Sequence, residues 1–91
     1  MAAFAAVLEY TGDNELRLAT RPSHREYLRS LLEVGKLRMS GPFADETGAL
    51  IIYEADSLEE AQGLLEADPY RMAGVLADTR VREWNIVLKA E

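Results

Sequence analysis

The chain has 91 residues, enough for one domain spanning 1–91 and no second. It contains no cysteine, which excludes disulfides, thiolate metal centres and cysteine nucleophiles and fits a reducing compartment; its formal net charge of −6 has the wrong sign for following a phosphate backbone, so no nucleic-acid partner is expected. With 48% hydrophobic residues it can build a core, and its longest apolar run, residues 2–8, is too short to span a bilayer, so the expectation is a cytoplasmic protein without a membrane partner or leader segment.

In chain order, residues 3–10 (AFAAVLEY) read as a strand with apolar side chains on both faces, and residues 11–15 (TGDNE) as a turn-rich loop. Pro22 is expected to open a helix, at a position where its missing N–H does no harm. Tyr27, Leu28, Leu31 and Leu32 then recur at helical spacing, and Gly35 is a natural stop. Arg21, Arg25 and Arg29 lie near one another on this helix, but Glu26 and Glu33 dilute them. Residues 36–43 read as a second strand, 44–48 as a hairpin loop, and 49–55 (ALIIYEA) as a third strand rich in β-formers. Ser57 followed by Glu60 is a capping box for a second helix whose apolar stripe is Leu58, Ala61, Leu64 and Leu65. Pro69 breaks that helix near Asp68, because the residue before proline avoids helical backbone. A short extra turn follows, and residues 79–88 (TRVREWNIVL) read as the last strand, with Trp84 in the core or in an interface.

The order β-α-β-β-α-β with right-handed crossovers predicts an α+β, ferredoxin-like domain: a four-stranded antiparallel sheet with two helices on one face. Phe4, Ala6 and Leu8 alternate with Ala5 and Val7, and Ile51 with Leu50 and Ile52, so the face without helices is apolar too. Such a face is a poor state for a monomer. A homodimer stacked sheet on sheet is expected.

His24 is the only histidine. Positions 24, 27, 28, 31 and 32 share one side of the first helix, and positions 61, 64, 65 and 68 share one side of the second. Each stripe ends in an ionisable group, which invites a pair between His24 and Asp68. A carboxylate on one ring nitrogen fixes the tautomer and leaves the other nitrogen as acid or base. Each residue also has an ordinary structural use, His24 as a boundary residue and Asp68 as the N-cap of the turn that Pro69 opens. Ser40, Gly41 and Pro42 end the second strand beside a helix, where a hydroxyl and backbone amides can meet an anion. Tyr27 and Tyr70 are further candidates for the wall of the same cleft. A single histidine and loop or cap carboxylates do not make a metal shell, so no metal is expected.

The motifs R-P-x-H-x-x-Y-L, S-G-P and A-D-P-Y, in this order along nearly the whole chain, resemble the YCII-related (YciI-like) family. The resemblance implies a ferredoxin-like fold that dimerises as an α+β barrel, similar to the muconolactone isomerase and antibiotic-biosynthesis monooxygenase groups. It also implies an active-site His–Asp pair that would fall on His24 and Asp68, with the family's serine at Ser40. Some relatives are tied to the breakdown of ring compounds. The loop ADETG is shorter than in some of them, which changes the border of the cleft.

Two functions follow as expectations. The first is a cofactor-independent enzyme in which His24 moves a proton on a small organic, ring-derived metabolite, by isomerase, lyase, dehalogenase or hydrolase chemistry. The alternative is a non-catalytic small-molecule-binding or accessory module. A haem site with His24 as axial ligand is a minor reading.

Overall fold

The structure is a computed structural model that describes residues 1–90. Its elements are β1 (Ala2–Tyr10), α1 (Asn14–Glu33), β2 (Leu37–Pro42), β3 (Gly48–Ala55), α2 (Leu58–Glu66), α3 (Pro69–Met72) and β4 (Leu76–Trp84). The strands form one sheet in the order β2-β3-β1-β4, with every neighbouring pair antiparallel. The ferredoxin-like arrangement expected from the sequence is the one observed.

Strand alternation divides the sheet into two faces. Phe4, Ala6 and Leu8 of β1 and Ala49, Ile51, Tyr53 and Ala55 of β3 face the helices. There they join Leu28 and Leu31 of α1 and Ala61 and Leu65 of α2 in one buried cluster. On the other face lie Ala5, Val7, Leu50 and Ile52, paired across β1 and β3. β4 adds Arg80, Arg82 and Trp84 to that face, opposite Val7, Ala5 and Ala3. Val7, Met39 and Trp84 are 38%, 58% and 46% exposed, so an apolar surface faces outward. Trp84 is therefore not a core residue. No helix among the described residues is long and apolar enough to cross a membrane.

Two boundaries differ from the sequence reading. Helix α1 begins at Asn14 rather than at Pro22: the Asp13 side chain caps it by accepting from the Leu16 amide, and Pro22 sits mid-helix. An interior proline costs about 3 kcal/mol, and burying a leucine contributes about 1.5–3 kcal/mol. Leu28 and Leu31 together offset the proline, which is itself exposed, so that the helix passes through it. The last strand runs Leu76–Trp84 rather than 79–88. Its partner β1 fixes both ends: Tyr10 pairs with Leu76 and Ala3 with Trp84, and beyond Trp84 little of β1 remains to pair with.

The stop and start signals elsewhere hold. Gly35 takes a positive φ of 77° just past α1, a conformation that suits glycine. Ser57 caps α2 by accepting from the Glu60 amide, while the Glu60 carboxylate reaches back to the Asp56 amide at 2.8 Å. Gly48 lets β3 approach β1 closely: a Cβ there would lie 1.9 Å from the Leu8 carbonyl oxygen.

Candidate functional site

His24 and Asp68 meet. The imidazole Nδ1 lies 2.7 Å from Asp68 Oδ1, with His24 7% and Asp68 0% exposed. The same oxygen accepts from the Tyr70 amide at 2.9 Å, so Asp68 also caps α3. The structural use and the pairing foreseen as alternatives coexist on one atom. Because Oδ1 already accepts from a backbone N–H, the ring nitrogen facing it is the donor, and Nε2 becomes the nitrogen left with a lone pair. Tyr70 lies flat against the imidazole, with ring centroids 3.8 Å apart and planes inclined by 6°. The ring is thus fixed by a bond at its edge and a stack on its face.

His24 lines a cavity of about 480 Å³ between α1, β2 and the adjoining end of the sheet. Tyr70 lines it as well, as do Ser40, Gly41 and Pro42 at the end of β2. Tyr27 does not. Its hydroxyl donates to the Leu64 carbonyl at 2.6 Å, so it ties α1 to α2 instead of facing the cavity. The reason is angular: Tyr27 lies on the flank of α1 that turns to α2, whereas His24 and Leu28 turn to the sheet end.

The sequence reading did not count Tyr10 as a site residue, and it weighed Arg21, Arg25 and Arg29 only as a diluted cluster of charge. Arg17, Arg21, Arg25 and Arg29 of α1 and Arg38 of β2 all line the cavity. Glu26 and Glu33, which seemed to dilute the arginines, are exposed and lie outside it. The available signal was the spacing of four, which places the α1 arginines along one row. Arg17 was hidden because the helix was begun too late.

All four tyrosines are held protonated beyond the ordinary phenol range. Burial raises Tyr53 most strongly, with the charges of Asp68 and then Tyr27 adding to it. Tyr27 is raised by burial and then by Asp68. Burial raises Tyr10 and Tyr70 as well, against the opposing pull of nearby arginines. The phenols around the site are therefore donors near neutral pH, not bases. Among the described residues, three buried polar side-chain atoms lack a partner: Arg17 Nε, Tyr53 Oη and Asp68 Oδ2. Among the described residues, no three His, Asp or Glu side chains stand close enough together to share a metal ion.

Residues 3–85 match the YCII-related domain. The chain is 37% identical to the YciI protein of Escherichia coli over 83 residues, which covers 80% of this chain and 85% of the relative. It is 41% identical to the YjpA protein of Bacillus subtilis over 63 residues, 69% of this chain and 73% of the other. Among solved structures it is similar to the 5-chloro-2-hydroxyhydroquinone dehydrochlorinase of Burkholderia phenoliruptrix, in complex with 2,5-dihydroxybenzoquinone. That likeness has a TM-score of 0.80 and 28% identity, covering 91% of this chain and 93% of that one.

Proposed function

The chain belongs to the YCII-related family, and from that premise we propose that it is a cofactor-independent enzyme that moves a proton on a small, ring-derived organic molecule. The observation that carries this reading is the buried 2.7 Å bond between His24 Nδ1 and Asp68 Oδ1 in the wall of a cavity of metabolite size. Asp68 holds the ring in the tautomer that leaves Nε2 as acceptor. Tyr70 fixes the ring plane. Nε2 then takes a proton from a substrate C–H or O–H, and the ring becomes imidazolium beside a carboxylate. Ser40, exposed at the end of β2, offers a hydroxyl to the substrate oxygen that gains negative charge. The step closes in one of two ways. In an isomerisation the imidazolium returns the proton to another substrate atom. In an elimination the electron pair of the broken C–H bond forms a double bond as the leaving group departs as an anion from the neighbouring carbon, and the imidazolium gives its proton to solvent.

The similar dehydrochlorinase acts on a chlorinated, hydroxylated ring, and this favours the elimination. The test is chloride release from 5-chloro-2-hydroxyhydroquinone and from chlorinated, hydroxylated ring acids. Release by the wild-type protein that falls about 10²–10⁴-fold in His24→Gln, the usual worth of a positioned base, supports the reading. Release that is unchanged in His24→Gln overturns it. A ring compound bound and returned unaltered makes the cleft a binding site only.

The outward apolar face is proposed as the contact with a second copy of this chain. Arg80 and Arg82 share that face with Glu9 and Asp78, so it carries both signs of charge, as a self-complementary two-fold surface requires. A mass in dilute solution of twice the 10.2 kDa chain is expected, falling to the single chain in Val7→Asp. A wild-type monomer refutes the pairing.

A further inference from the structure

The chain carries 16 acidic against 10 basic residues, yet five arginines line the cavity, and Glu46 is the only acidic residue that lines it among those described. Arg17, Arg21, Arg25 and Arg29 follow one another at intervals of four, so each repels the next along the helix. No acid among the described residues pairs with them: the ion pairs there are Lys36–Glu60, Arg38–Glu54 and Arg71–Glu66, and none uses an α1 arginine.

Arg17 is the decisive case. It is 8% exposed, its Nε has no partner, and its guanidinium carbon lies 4.9 Å from the centre of the Tyr10 ring. A buried cation without an acid is unfavourable unless something with a negative charge comes to it. Its position says where that something sits. Tyr10 meets Tyr70 edge to face at 5.9 Å, and Tyr70 stacks on His24 at 3.8 Å. The guanidinium thus stands at the end of a short aromatic relay from the imidazole. Arg21, half-buried, lines the same cavity as Tyr70 and His24.

We infer that the ligand of this cavity is a small organic acid whose carboxylate is gripped by Arg17 and Arg21, in the same cavity that the His24 ring lines. Guanidinium forks match a carboxylate with two parallel hydrogen bonds. Arg25 and Arg29, exposed and unpaired by any acid among the described residues, give the mouth a positive potential that draws anions in past an acidic surface. The inference deepens the proton-transfer reading by naming the substrate class.

The test compares benzoate with benzamide, its neutral isostere, by NMR titration of the full chain. Charged hydrogen bonds exceed neutral ones by enough to make benzoate bind about tenfold more tightly, and that preference should shrink as salt is added. Arg21→Gln, at a half-buried position that keeps the fold, should erase the preference, benzoate losing far more affinity than benzamide. Arg17→Gln should do the same. Equal behaviour of the two probes toward the wild-type protein, or a benzoate preference that survives in Arg21→Gln, overturns the inference. His24→Gln separates it from the catalytic reading: this variant is expected to retain the benzoate preference even where it has lost turnover, so either idea can fail without the other.

Discussion

Replacing Asp68 by alanine removes one oxygen that two buried donors share. His24 Nδ1 and the Tyr70 amide lose their acceptor together. A buried donor left without a partner costs about 1–3 kcal/mol, and breaking a buried pair by deleting one member costs about 3–5 kcal/mol. Ser57→Ala is the reference, because Ser57 accepts from a single amide at an exposed helix start; an ordinary cap is worth about 1 kcal/mol. Asp68→Ala should therefore lose about 3–5 kcal/mol, roughly three to five times the loss at Ser57. Asp68→Asn keeps an acceptor oxygen for both donors and should lose less than about 2 kcal/mol. Urea unfolding followed by circular dichroism measures all three, read as midpoints at constant slope. A fall of about 4–8 °C in Tm per kcal/mol is the thermal equivalent for a domain of this size. If Asp68→Ala falls within about 0.5 kcal/mol of Ser57→Ala, the carboxylate is an ordinary cap and the pairing with His24 carries no energy.

Tyr53→Phe removes a buried hydroxyl that has no partner, so stability near neutral pH should be unchanged or slightly higher. At alkaline pH the sign is fixed by the raised phenol: its contribution is fully present below the unfolded value near pH ~10 and is lost as pH rises past it, at up to about 1.4 kcal/mol per pH unit. The variant should flatten the alkaline fall in urea midpoints by that slope, and identical slopes would refute the assignment. Gly48→Ala forces a methyl group against the Leu8 carbonyl and should separate β1 from β3, at a cost above about 3 kcal/mol. Gly35→Ala meets open space and faces only its positive φ, worth about 1–2 kcal/mol; equal losses in the two variants would remove the close-approach argument.

The parts of the site that could be read from sequence are those carried by periodicity. Positions 24, 28 and 31 repeat at helical spacing and 61, 65 and 68 do the same, so two stripes ending in His24 and Asp68 could be followed to their ends. The contact itself could not be read, because it depends on where α3 turns back against α1. Pro22 misled because a local rule about proline ignores the burial of Leu28 and Leu31 about two turns later. The frame of β4 was lost for a similar reason: its ends are set by Tyr10 and Ala3 on another strand. The arginines were counted as charge and not as a row, since Glu26 and Glu33 sit beside them in the sequence and away from them in space.

That one oxygen of Asp68 serves both the imidazole and the start of a helix has an evolutionary consequence. A lineage cannot discard the acid cheaply when it abandons the reaction, because the protein would be cleared by proteolysis before any new activity could be tried. Change is steered instead toward the rim, at Ser40, Arg38 and the short turn after Pro42, where substitutions leave folding alone. Diversity in what such proteins act upon is expected to collect there, around a centre that drifts slowly.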